Sequence, residues 1–320
     1  MQALQPVQNN NAVVVSNAID YDLILSVFIA ELDAKPSTRV QYGKSIKQFF
    51  AWVKDTGRSL DYVSRVDIIA FRDSLLNGEY GEAKSTLTTS NYLTAVKMFY
   101  KWAAGRIPNV KNVADGIKLP KRANKFNREA LTPAQAQKLI AEASTGSLRD
   151  NAIINLLTRT GLRTIEVIRA NVEDLSFKGG QAILLVQGKG RDSKDSFVIL
   201  SDKCKAAIQA YLATREDKEP GTPLFTSESK RNNGERLTTR TIRKIAKDSL
   251  VNVGLDSRSY SAHSLRHTCA VSMLRNGTSI EMVQKTLRHS NPATTQIYTY
   301  HLDEQRRLEQ AAEKQLDNLF

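Results

Sequence analysis

Hydrophobic residues recur at intervals of three and four over most of the chain, and the alternation proper to strands is confined to one short region. Leu23, Ile24, Val27, Phe28 and Leu32 form a first helical stripe. Thr38 and Gln41 stand at capping-box spacing and predict the start of a second helix, whose apolar side carries Ile46, Phe49, Phe50 and Val53. Ile68, Ile69, Phe71, Leu75 and Leu76 predict a third helix ended near Gly78, and Leu93, Val96, Phe99, Tyr100 and Trp102 predict a fourth. With no credible strand among them, residues 19–105 read as a compact helical domain. Residues 1–18, rich in Gln, Asn, Val and Ala without a helical stripe, read as a mobile tail.

The pattern changes at residues 106–128. Arg106, Lys111, Lys118, Lys121, Arg122, Lys125 and Arg128 face a single acid, Asp115, and Pro108 and Pro120 discourage a continuous helix, so this stretch reads as a basic linker. Residues 129–320 then form a second domain. It opens on Thr132-Pro133 with Gln135, a cap, a first-turn proline and a capping box in succession. A helix over 148–160 stops at Gly161, and three short strands follow at 172–177, 182–186 and 197–200. Helices resume near Lys203, Thr239, Ala262, Ile280 and Pro292, with a last amphipathic one from about Asp303 to the C-terminus. The predicted fold is mainly α with a small antiparallel β-sheet.

Composition narrows the partners. The 320 residues carry 46 Lys and Arg against 33 Asp and Glu, a net charge of +13, which makes a polyanion the first partner to test. In so basic a chain the linker, and Lys118, Lys121, Arg122 and Lys125 in particular, is read as lying along a phosphate backbone. A hydrophobic fraction of 41% excludes a wholly disordered chain. Cys204 and Cys269 are too few for a disulfide framework or a zinc site. Apolar runs such as 23–30 and 152–157 fall far short of the roughly 18 residues a bilayer span needs, and the N-terminus lacks the layout of a secretory signal. A cytoplasmic protein with no membrane contact is expected.

Three clusters could carry chemistry. In Thr160-Gly161-Leu162-Arg163-Thr164-Ile165-Glu166, Arg163 sits at a turn between helices, where its planar fork either faces a phosphate or simply pairs with Glu166. In His263-Ser264-Leu265-Arg266-His267, His263 and Arg266 share a face in a helix's first turn. They suit proton transfer and charge stabilisation at phosphorus, or else are a capping histidine and an unrelated arginine. The third cluster, Leu287-Arg288-His289-Ser290, precedes Tyr298 and Tyr300, and chemistry alone leaves the choice of nucleophile open.

Together these clusters closely resemble the tyrosine recombinase (phage integrase) family, most of all its Xer-type and transposon-encoded members, over nearly the whole chain. His263-Ser264-Leu265-Arg266 matches the family's His-x-x-Arg, Thr-Gly-Leu-Arg163 its first arginine, Lys189 in Gly188-Lys189-Gly190 its hairpin lysine, His289 its His/Trp position and Tyr298 its nucleophile. Lys194 is a second lysine in the hairpin turn, and Arg288 stands where the family commonly has glycine. The resemblance implies two domains clamped around duplex DNA and strand cleavage through a 3′-phosphotyrosyl bond, without metal, nucleotide or other cofactor. Arg163, Arg266 and His289 would bind the phosphate, Lys189 would act as acid and His263 as base, and Glu166 would support the arginines. It also implies a homotetramer on synapsed, nucleoid DNA, with an accessory protein where one is needed and the C-terminal helix as an intersubunit contact. A type IB topoisomerase or telomere resolvase shares the arginine–tyrosine set but usually carries additional domains. A catalytically idle DNA-binding regulator would have no use for all six side chains.

Overall fold

The computed structural model describes residues 20–79, 81–120, 129–188 and 191–310, together with residues 314 and 317. Two compact units divide the chain between Lys125 and Phe126. The expected tail and Lys121, Arg122 and Lys125 lie outside the described residues.

The first unit contains α1 (Tyr21–Glu31), α2 (Pro36–Asp55), α3 (Arg65–Asn77) and α4 (Thr86–Ala103). Their apolar stripes meet in a core rich in rings. Phe49 packs edge-on against Phe71 at 5.0 Å and Tyr100 at 5.9 Å, and Phe99 against Phe28 and Phe50 at 5.5 and 5.2 Å. Such pairs add about 0.5–1.5 kcal/mol each beyond their buried area. One start signal misleads: α2 begins at Pro36 with Lys35 as its cap, so Thr38 is already inside the helix. Pro36 supplies the preset φ of a first helical residue and lacks the N–H that would need a cap.

Residues 106–120 are not a free connector. Val110, Ala114 and Ile117 are buried in the helical core. Arg65 donates to the carbonyls of Asp115 and Gly116, and Lys97 to that of Ile117. The apolar positions between the basic ones decide the path, and Lys118 remains exposed on its surface.

The second unit is built on α6 (Leu148–Thr160), whose Ala152, Ile153, Ile154, Leu156 and Leu157 are fully buried. Against it pack α5 (Pro133–Ala143), α8 (Asp202–Ala213), α9 (Thr239–Asn252) and α10 (Ala262–Arg275). Thr132 and Gln135 form the expected capping box at the start of α5. The short helix α7 (Thr164–Arg169) leads to the sheet of β1 (Leu175–Lys178), β2 (Gln181–Val186) and β3 (Ser196–Ile199), antiparallel in that order. Gly179 and Gly180, at φ 56° and 78°, make the tight turn between β1 and β2.

Residues 172–174, expected in a strand, form a 3₁₀ turn. There the Asp174 carboxylate accepts the Asn171 N–H at 2.6 Å, which closes the backbone before the strand can start. The chain ends its described course with α11 (Ile280–Leu287) and α12 (Ala293–Gln310). A separate helix from Asp303 was expected; α12 runs through that position unbroken, because Leu302 is buried on the same core as Tyr298. No described helix is long and apolar enough to cross a membrane.

Candidate active site

The site starts where α6 ends. Gly161 caps that helix in the left-handed region, φ 62°, and a Cβ there would lie 2.5 Å from Leu287 Cδ2 and 3.4 Å from Cys269 Sγ. Only glycine satisfies both the backbone and the close approach. Two residues on, Arg163 opens α7. Its backbone N–H donates to Glu166 Oε2 at 2.7 Å, and its Nη1 to Oε1 at 3.0 Å. Glu166 is wholly buried and also receives Arg288 Nη2 at 3.0 Å on Oε2. Burial alone would raise its carboxyl; Arg288 and Arg163 overcome that and hold it below the usual carboxylate range, so it stays charged.

Arg266, on α10, is 1% exposed. Its Nη1 donates to the Gly161 carbonyl at 2.5 Å and its Nη2 to the Leu287 carbonyl at 2.6 Å. Glu166 therefore contacts Arg163 and Arg288, and Arg266 is held by backbone carbonyls instead. Burial, then the charge of Arg163, pushes Arg266 down to about 10, which leaves it cationic at neutral pH. Three guanidinium groups face one carboxylate here. The site is short of negative charge.

Tyr298 is 2% exposed on α12, where the charge of Arg266 bears on its hydroxyl. Burial raises this phenol, while Arg266 and Arg163 pull it back. His289 stacks on Tyr298 with ring centroids 6.0 Å apart, and its Nδ1 shares a 2.9 Å hydrogen bond with Thr295 Oγ1. Burial, then Arg266, Arg163, Arg288 and His263, pushes His289 down to about 4, so the ring is neutral at pH 7. Tyr300, two residues along the same helix, is 76% exposed on the opposite side.

The structure thus gathers Arg163, Glu166, Arg266, His289 and Tyr298 into one cluster. His263 lies at its exposed rim. The His263 ring packs on His267 at 5.0 Å, and His267 packs edge-on against Tyr298 at 5.0 Å. Lys189 lies outside the described residues. Lys194 is committed elsewhere, 2.6 Å from the buried Asp174 carboxylate. Among the described residues, no three His, Cys, Asp or Glu side chains gather at metal-ligand spacing.

Sequence reasoning gave no role to Thr295 or His267 and read Gly161 only as a helix stop. Each carried a signal: Thr295 is one helical turn before Tyr298, His267 one turn after His263, and Gly161 ends a helix. Arg288 appeared only as a departure from the family's usual glycine, and nothing local pointed it toward Glu166.

The site thus sets a buried tyrosine beside two arginines, in a helical unit with a small antiparallel sheet. Residues 129–305 match the phage integrase family, and residues 28–106 match the phage integrase N-terminal SAM-like domain. The chain belongs to the phage integrase family, the tyrosine recombinases, which carry out site-specific cleavage and rejoining of DNA. It is 30% identical over 275 residues to the tyrosine recombinase XerC of Thermodesulfovibrio yellowstonii, covering 82% of this chain and 84% of that one. It is 29% identical over 273 residues to the tyrosine recombinase XerD of Oceanobacillus iheyensis, covering 82% and 87%. In fold it is similar to the XerH site-specific recombinase bound to a palindromic difH substrate in a post-cleavage complex. The TM-score is 0.71 at 22% identity, over 92% of this chain and 84% of that one.

Proposed function

We propose that Tyr298 is the nucleophile of a site-specific recombination reaction on duplex DNA. Its phenolic oxygen attacks the scissile phosphorus as the bond from phosphorus to the 5′-oxygen breaks. The phenol proton passes to His263, and Lys189 protonates the departing 5′-oxygen. The products are a 3′-phosphotyrosyl bond and a free 5′-hydroxyl, so the bond is conserved for rejoining. Arg163 and Arg266 neutralise the nonbridging oxygens, and neutral His289 adds a hydrogen bond through Nε2 when Thr295 donates to Nδ1. In well-studied sites such preorganised donors contribute about 2.7–4 kcal/mol each. Glu166 reacts with nothing; it aims Arg163.

One observation carries this reading: buried Tyr298 packs on His289 and on His267 of α10, the neighbour of Arg266, whose guanidinium in turn holds the Gly161 carbonyl two residues before Arg163. A regulator that only bound DNA would not need a phenol buried on a cation. The engagement of Lys194 with Asp174 supports Lys189 as the acid. Lys118, Lys121, Arg122 and Lys125 would follow the phosphate backbone of the duplex. By analogy with a family that acts on two synapsed nucleoid duplexes, four protomers assemble, with an accessory protein where one controls them.

The test uses a pool of nicked duplexes with a randomised window, from which covalently captured DNA is enriched and sequenced. Wild type is expected to form an adduct that survives denaturation, with or without EDTA. Tyr298→Phe is expected to bind the enriched duplex and form none. An adduct in that variant would move the nucleophile elsewhere.

A further inference from the structure

Arg288 ends α11 at φ 56° and ψ 45°, in the left-handed region that a side chain disfavours and glycine accepts. A residue stays in such a conformation when its surroundings over-determine it. Here they do. The guanidinium turns inward to a side-chain exposure of 10%, where Nη2 meets Glu166 Oε2 at 3.0 Å and Nη1 donates to the Thr286 carbonyl at 2.7 Å. The same Glu166 oxygen accepts the backbone N–H of Arg163 at 2.7 Å.

The backbone on either side of Arg288 also belongs to the site. The Leu287 carbonyl accepts Arg266 Nη2, and His289 follows directly, its N–H on the Gln284 carbonyl and its own carbonyl on Gln284 Nε2. One residue therefore touches the supports of both arginines and of His289.

We infer that Arg288 is a positioning residue for the cleavage step: it clamps Glu166 so that Arg163 is aimed before DNA arrives, and the helix end it caps presents Leu287 and His289 to Arg266 and Tyr298. It does not meet the phosphate, because its charge is spent on a carboxylate that is itself wholly buried. Without Arg288, Glu166 keeps a single guanidinium partner and a buried charge that is only half compensated.

This inference rests on the reading of Tyr298 and the arginines above. The experiment compares single-turnover cleavage of the enriched nicked duplex, at saturating protein, by wild type, Arg288→Gly, Arg288→Lys and Tyr298→Phe. Arg288→Gly suits the left-handed backbone and is expected to fold, with a lower unfolding temperature because buried Glu166 loses one of its two guanidinium partners; cleavage is measured well below that temperature, where the folded fraction is complete. It should bind the duplex within about threefold of wild type and cleave about 10- to 100-fold more slowly, as for other residues that orient a reacting group. Arg288→Lys, which keeps a cation facing Glu166, should recover most of that loss. Adding Glu166→Gln to Arg288→Gly should cost much less than the two separate losses multiplied, because both changes release the same arginine. Cleavage by Arg288→Gly at the wild-type rate, with no adduct from Tyr298→Phe, would overturn the inference alone. An adduct from Tyr298→Phe would overturn the parent reading and this inference with it.

Discussion

The guanidinium of Arg266 donates to the carbonyl oxygen of Gly161 at 2.5 Å, across 105 positions of sequence. This bond ties α10 to the turn that launches Arg163, so the two arginines are set relative to one another by backbone as well as by side chains. A Cβ on Gly161 would press on Leu287 Cδ2 and Cys269 Sγ, so the turn packs against both residues without one.

Gly161→Ala should therefore damage folding and chemistry together. The new methyl meets Leu287 Cδ2 at 2.5 Å, and the positive φ strains any L residue. A loss of roughly 1–3 kcal/mol is expected, read as a lower urea midpoint with unchanged slope. Cleavage should fall further than the folded fraction does. A variant with wild-type midpoint and rate would show that the close approach is not needed.

His289 should make stability sensitive to acid. Its folded pKa, about 4, lies below the ordinary value of 6.5, so between those limits the unfolded chain binds a proton that the native site refuses. The stability this supplies is complete above about pH 6.5 and is lost as the pH falls toward 4, a change of roughly 3 kcal/mol. His289→Gln, which cannot titrate, should flatten that part of the profile in urea melts taken at successive pH values. An unchanged slope would mean that His289 is protonated in the native site.

The acid assignment can be separated from its rival by the leaving group. Sulfur leaves without a proton, so a duplex with a 5′-bridging sulfur at the scissile bond needs no general acid. Lys189→Met should cleave the ordinary duplex about 100-fold slower and the sulfur duplex at close to the wild-type rate. Lys194→Met should show no such selective rescue, since its ammonium is bound to Asp174. Sulfur rescue of Lys194→Met would reverse the assignment.

Assembly should depend on the end of the chain. Leu302 is buried beside Tyr298, so removing everything after residue 303 would cut into the helix that carries the nucleophile. Ending the chain at Gln310 spares α12 as described. That truncation should leave binding to one DNA half-site intact and weaken formation of higher complexes in sedimentation or native gels. Equal loss of both would argue that the segment packs on its own protomer.

Much of the architecture follows from rules that act over a few residues. The capping box at Thr132, the stop at Gly161 and the apolar stripes of α3, α4 and α6 are set by backbone donors and side-chain spacing within one or two turns, and they stand where the sequence puts them. The motif order likewise picked out Arg163, Arg266, His289 and Tyr298, which the structure sets on α10 and α12 and in the turns beside α7 and α11. Local signals failed where two of them competed, as at Thr38 with Pro36 two residues ahead, or where burial settled the matter, as in the unbroken α12 and the docked residues 106–120. Only the tertiary structure decided that Glu166 is shared by Arg163 and by Arg288, which lies 122 positions beyond the carboxylate, and that Arg266 rests on two carbonyls. It also sank Tyr298 and left Tyr300 in solvent. These are consequences of which surfaces lose water when distant segments pack, and no pattern within a single helix contains that information.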